Sequence, residues 1–106
     1  MRLDFASPIR SVVCLGAHPD DIEIGAAGTL LTIADRHPEA RFHFVVATST
    51  PERDEEARAS AADLLGDQVT VDVFGFRDGF APYDDPAAVK DEVITSAGGL
   101  APDVVF

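Results

Sequence analysis

The sequence predicts an α/β fold: a parallel sheet with helices on both of its faces. Three observations predict it. Short apolar runs alternate with stretches of helical periodicity along all 106 residues. Turn and capping residues fall between the two kinds of segment. The resulting β-α-β-α-β-α-β order needs crossover connections, and these bring parallel strands together with their carboxyl ends on one edge.

Each element has its own warrant. Arg10 to Ala17 reads as the first strand, with Val12-Val13-Cys14-Leu15 as a buried apolar run. Gly25-Ala26-Ala27-Gly28 reads as a turn opening a helix from about Ala26 to Arg36, which places Leu30, Ile33 and Ala34 on one face and stops near Pro38. Arg41 to Thr48 is the second strand. Pro51 starts the second helix, whose first turn holds Glu52, Asp54, Glu55 and Glu56 where the positive end of the helix dipole favours acids. That helix carries Ala57, Ala61, Leu64 and Leu65 inward and meets Gly66, a C-terminal cap. Gln68 to Phe74 is the third strand and Gly75 to Phe80 a loop. Pro86 opens a third helix with Val89, Val93 and Ile94 at helical spacing, ending at Gly98-Gly99. Val104-Val105-Phe106 begins a fourth strand, and the sequence stops within it. The expectation is therefore that residues 1–106 are the N-terminal part of a single domain, with the remainder of the domain absent.

Composition narrows the class. Hydrophobic residues make up 46% and charged residues 25%, which suits a folded domain rather than a disordered chain. The net charge of −11 repels nucleic acid and anionic membranes, so neither is expected as a partner. No apolar run approaches the roughly 18 residues that span a bilayer. The start, Met1-Arg2-Leu3-Asp4-Phe5, lacks the long apolar stretch of a signal peptide. A cytoplasmic location is the default expectation. Cys14, the single cysteine, lies in an apolar strand and reads as a small core residue. Oligomeric state is not readable from the sequence.

The chemistry concentrates in His18-Pro19-Asp20-Asp21, immediately after the first strand. Ligand sites of open α/β sheets lie at that edge. His18 and Asp21, three residues apart around a turn stiffened by Pro19, can point toward one ion. A catalytic zinc keeps about three protein ligands and leaves one position for water. Asp20 would sit beside the ion without binding it and remove a proton from the water, whose pKa zinc lowers toward about 7. Hydrolysis of an amide or ester is the chemistry such an arrangement serves. Ser49 and Thr50 follow the second strand and Arg77 and Asp78 the third, so three loops are expected on one surface.

Ala17-His18-Pro19-Asp20-Asp21-Ile22-Glu23-Ile24-Gly25, followed by Gly28-Thr29, closely resembles the signature of the PIG-L/LmbE-like N-acetylglucosamine deacetylases. The resemblance extends to Arg53 and Glu56 ahead of an Ala-rich helix, to Gly75-Phe76-Arg77-Asp78-Gly79, and to Pro102-Asp103-Val104-Val105-Phe106. It implies a Rossmann-like fold and a zinc-dependent hydrolase that removes the N-acetyl group from an N-acetylglucosaminyl conjugate. It further implies His18 and Asp21 as metal ligands, Asp20 as general base, and Arg53 and Asp78 at the sugar. Ala27 stands where many members have glycine. The family takes its third ligand and an electrophilic histidine from a His-x-x-Asp-His motif, which does not occur here. That third zinc ligand is expected beyond Phe106, and the 106 residues alone are expected to be inactive.

Other readings compete residue by residue. His18, Asp20 and Asp21 also suit a capped turn with solvated acids. Glu23 suits a brace for the helix or a ligand, and equally a surface acid. Arg53 suits a pair with an acid of its own helix, and Asp78 a plain turn residue. His37 reads as a surface histidine at a helix end and His43 as a structural or exposed strand residue. A Mg²⁺-binding phosphoacceptor domain also places acids after a first strand, but it needs an Asp ending the third strand and a Lys after a fifth. A dinucleotide-binding module needs Gly-x-Gly-x-x-Gly, a spacing that Gly16 to Gly28 does not supply. A non-catalytic fragment carrying an inherited motif is the remaining alternative.

Overall fold

A computed structural model describes residues 4–106; Met1, Arg2 and Leu3, part of the N-terminal stretch read above, lie outside the described residues. The chain runs β1 (Ser11–Gly16), α1 (Asp21–Arg36), β2 (Arg41–Thr48), α2 (Pro51–Leu65), a 3-10 turn (Gly66–Gln68), β3 (Val69–Phe76), α3 (Ala81–Asp84), α4 (Pro86–Gly98) and β4 (Val104–Val105). All strand pairs are parallel, in the order β3-β2-β1-β4. The predicted α/β class is what forms.

Register reflects side-chain alternation. Ser11 pairs with Arg41 and Gly16 with Val46, which puts Val12 and Cys14 on the same face as Phe42, Phe44 and Val46. These five form one core with Ile22, Leu30 and Ile33 of α1 and Ala61 and Leu65 of α2. Fully burying a side chain such as Leu30 or Phe44 contributes about 1.5–3 kcal/mol. Val13 and Val45 alternate to the opposite face, where they are also buried. The chain reaches β4 by passing β2 and β1, so the right-handed rule puts α4 on the face opposite α1 and α2.

His43 shows what holds α4 there. Its Nδ1 lies 2.6 Å from Thr70 Oγ1, and its Nε2 lies 3.0 Å from both Asp72 Oδ2 and Ser96 Oγ of α4. Ser96 also donates a hydrogen bond to Asp72. His43 is thus structural, one of the two roles expected of it. His37 is half-buried rather than a surface group: its Nδ1 accepts the Ile9 N–H at 3.2 Å.

The helix ends are chemically explicit. Thr50 Oγ1 caps α2 by accepting the Arg53 N–H at 3.4 Å, with Pro51 in the first turn. Gly66 closes α2 at φ 61°, a conformation that disfavours any residue with a Cβ. Asp85 Oδ1 caps α4 by accepting the Ala88 N–H at 2.9 Å.

Three boundaries differ from the sequence reading. α1 begins at Asp21, not near Ala26, so Gly25 and Gly28 are helical residues with open space where a Cβ would stand. They lie within the helix and form no turn. β3 continues to Phe76, because Val46 pairs with Val73 and Thr48 with Phe76, leaving Phe74 and Gly75 opposite Ala47 alone. That extra residue is a bulge, which bends a strand and re-aims the residues beyond it. The short α3 falls where only loop was expected.

Candidate metal centre

The order β3-β2-β1-β4 reverses direction between β1 and β4, and ligands of open α/β sheets bind outside the carboxyl ends near such a switch point. The segment leaving β1 there is Ala17-His18-Pro19-Asp20. Gly16 leaves room for its path: a Cβ would stand tightly, 3.1 Å from Ile22 Cγ1 and 3.3 Å from the His18 carbonyl oxygen. The turn closes through the Asp21 N–H, which donates to the His18 carbonyl at 3.2 Å.

Thr48, at the end of β2, anchors this turn and was not singled out in the sequence. It is 5% exposed, and its Oγ1 and N–H both donate to the Ala17 carbonyl, at 2.7 and 3.0 Å. A threonine at a strand end carries no sequence signal for that task.

His18 lies between two carboxylates. Its Nδ1 is 3.2 Å from Asp21 Oδ2, and its Nε2 is 2.6 Å from Asp78 Oδ1. Asp21 Oδ2 also accepts the His18 backbone N–H at 2.8 Å. That backbone bond, with the ring adding to it, holds the Asp21 carboxyl below the usual carboxylate range. The Asp78 hydrogen bond first, and the Asp21 one second, raise His18 above the ordinary imidazole value.

Asp20 occupies the cap position of α1, but its side chain makes no capping hydrogen bond. Its Oδ1 instead faces Arg53 across the loops at 3.4 Å, and its side chain is 64% exposed. Arg53 therefore pairs with the signature loop and not with an acid of its own helix, where Arg58 takes Asp54 at 2.6 Å. Pro19, Asp20, Arg53, Glu56, Ala57 and Ser60 line a hollow of about 100 Å³. The five residues named from the sequence thus fall in two adjoining contacts, Asp21–His18–Asp78 and Asp20–Arg53. Asp78 meets the imidazole.

Glu23 is not a surface acid, and its carboxylate braces neither the helix nor His18 or Asp21 by a hydrogen bond among the described residues. Both of its carboxylate oxygens are inaccessible to solvent and have no hydrogen-bond partner among the described residues. Burial, and secondarily the Glu23 charge, pushes the nearby Cys14 thiol up to about 12, which leaves it inert as a nucleophile.

The donor set can be tested against a divalent ion. Two ligands of a tetrahedral zinc, at about 2.0–2.1 Å each, lie roughly 3.3 Å apart. His18 Nδ1 and Asp21 Oδ2, one imidazole nitrogen and one carboxylate oxygen, stand 3.2 Å apart and fit that edge. Asp78 touches the far side of the ring, so it does not extend the set. Among the described residues no group of three or more His, Cys, Asp or Glu side chains comes together to hold a metal.

An open parallel α/β sheet with a His–Asp pair at its switch-point edge places that pair where such sheets bind ligands. The sequence matches the PIG-L family, described as GlcNAc-PI de-N-acetylase, over residues 13–106. The chain belongs to that family. Its structure is similar to that of N,N'-diacetylchitobiose deacetylase from Pyrococcus horikoshii, solved with its inhibitor MPG, at a TM-score of 0.70 and 26% identity. The match covers 92% of this chain and 40% of that one. No curated protein sequence matches. Among the described residues, no helix is long and apolar enough to cross a membrane.

The strand order also removes a competing reading. A phosphoacceptor domain of the receiver kind has the order 2-1-3-4-5, with β1 between β2 and β3. Here β2 lies between β1 and β3.

Proposed function

We propose that this chain is the N-terminal part of a deacetylase domain that hydrolyses the N-acetyl group of an N-acetylglucosaminyl conjugate. The observation that carries the reading is the 3.2 Å approach of His18 Nδ1 to Asp21 Oδ2 at the carboxyl edge of β1. Family membership and the similarity to a chitobiose deacetylase support the substrate class.

In this reading His18 and Asp21 hold a zinc ion, and a third ligand comes from outside the 106 residues. Zinc, when bound, polarises a carbonyl oxygen and makes water acidic enough to attack at neutral pH. Asp20 is the general base: it is exposed to water, unused by helix capping, and one residue from a ligand. Arg53, 3.4 Å from Asp20, pairs with that carboxylate and offers its remaining N–H donors to the sugar. Asp78, on the adjoining loop, stands where it can accept from a sugar hydroxyl as well as from His18. With two protein ligands only, the isolated chain binds zinc weakly and turns over no substrate.

The test is zinc-dependent release of acetate from an N-acetylglucosaminyl conjugate by the protein completed with its third ligand. Asp20→Asn should retain zinc and lose about 10²–10⁴-fold of turnover, the usual contribution of a general base. Undiminished turnover in that variant removes Asp20 from the role.

A further inference from the structure

We propose that Asp78 is a positioning residue which fixes the ring proton of His18 on Nε2 and so presents Nδ1, beside Asp21 Oδ2, as the donor pair of the site. The inference rests on the reading of His18 and Asp21 as metal ligands, and it assigns Asp78 a task that sugar contact does not include.

The two ring nitrogens face different carboxylates, and the distances rank them. Nε2 to Asp78 Oδ1 is 2.6 Å, at the short end for a charge-assisted hydrogen bond. Nδ1 to Asp21 Oδ2 is 3.2 Å, at the long end, and that oxygen already accepts the His18 backbone N–H at 2.8 Å. The proton of the neutral ring therefore belongs on Nε2, where Asp78 accepts it. Nδ1 and Asp21 Oδ2 are then two lone-pair donors facing one another, an arrangement a cation relieves. A carboxylate on the far nitrogen of a metal-binding histidine also makes the near nitrogen more basic.

Asp78 is kept available for this. Its neighbour Arg77 is turned away, paired with both carboxylate oxygens of Asp84 at 2.8 and 2.9 Å and placed over the Phe80 ring at 3.9 Å. The β3 bulge between Val73 and Phe76 lies immediately before this loop, and a bulge bends the strand that carries it. The Asp78 side chain is 69% exposed, so replacing it disturbs no packing.

The experiment is ¹⁵N NMR of the His18 imidazole in the metal-free chain, at a pH where the ring is neutral, joined to titration with Zn²⁺. Wild type should show the Nε2–H tautomer. Asp78→Ala should shift the proton to Nδ1, where Asp21 captures it, and weaken Zn²⁺ binding about 10–100-fold. Asp78→Asn keeps an acceptor oxygen and should restore Nε2–H and part of the affinity. An Nδ1–H tautomer in wild type, or the same tautomer and Zn²⁺ affinity in wild type and Asp78→Ala, overturns the proposal. A wild-type chain with the Nε2–H tautomer that takes up no Zn²⁺ instead counts against the metal site, and leaves the Asp78–His18 link standing.

Discussion

Thr48→Val isolates the bond that ties the signature turn to the sheet. Thr48 is 5% exposed, and its hydroxyl donates to the Ala17 carbonyl at 2.7 Å, one residue before His18. Valine fills nearly the same space and removes only that donor. The carbonyl is not orphaned, because the Thr48 N–H still donates to it at 3.0 Å. The loss is thus the net worth of one neutral hydrogen bond, about 0.5–1.5 kcal/mol, without the larger penalty of a buried unpaired group. For a domain of this size each kcal/mol moves the melting midpoint by about 4–8 °C. Thr48→Ala also deletes a buried methyl and should cost about 0.8 kcal/mol more. Urea unfolding followed by far-UV circular dichroism measures both. A Thr48→Val variant as stable as wild type, or one that loses more than about 3 kcal/mol, refutes the anchoring role as drawn.

The same geometry sets further outcomes. Gly25→Ala should stabilise the chain by about 0.5–1 kcal/mol in thermal melts, since Gly25 is helical and a methyl there meets nothing within 4 Å; destabilisation would restore the glycine turn. Glu23→Gln, which exchanges a buried unpartnered carboxylate for a neutral amide, should raise the melting midpoint, and a fall would reveal a partner that the Glu23 carboxylate needs. His18 titrates above its ordinary 6.5 in the fold, chiefly through Asp78. Its contribution to stability is therefore fully present below pH 6.5 and is lost as pH rises through the folded value; an NMR titration should show the shift shrink in Asp78→Ala. Asp21 has the opposite sign: its contribution is present above its ordinary 3.8 and is lost as pH falls through the lower folded value, which acid unfolding of Asp21→Asn against wild type detects.

The strands and the long helices were legible because their signals are local. Period-2 alternation in Phe42 to Val46, Pro51 at a helix start and Gly66 at a helix end each act within a few residues. The start of α1 was misplaced because Gly25 and Gly28 read as breakers. In the fold, Asp21 and Glu23 occupy the positive first turn, and burial of Ile22, Leu30 and Ile33 outweighs the glycine cost. The β3 bulge was invisible for a different reason, since a two-against-one pairing is a relation between strands. The site divides along the same line. His18, Asp20 and Asp21 could be named from four consecutive residues, whereas Thr48 on Ala17, Arg53 on Asp20 and Asp78 on His18 are contacts 31, 33 and 60 residues apart. Only the sheet, by gathering strand ends, brings such pairs together.

Zinc K-edge X-ray absorption on the Zn²⁺-loaded chain tests most directly the proposal that His18 and Asp21 share a cation. One imidazole and one carboxylate should appear at about 2.0–2.1 Å among water ligands, with the imidazole scattering gone in His18→Ala. A shell of oxygen alone, unchanged by His18→Ala, would contradict it.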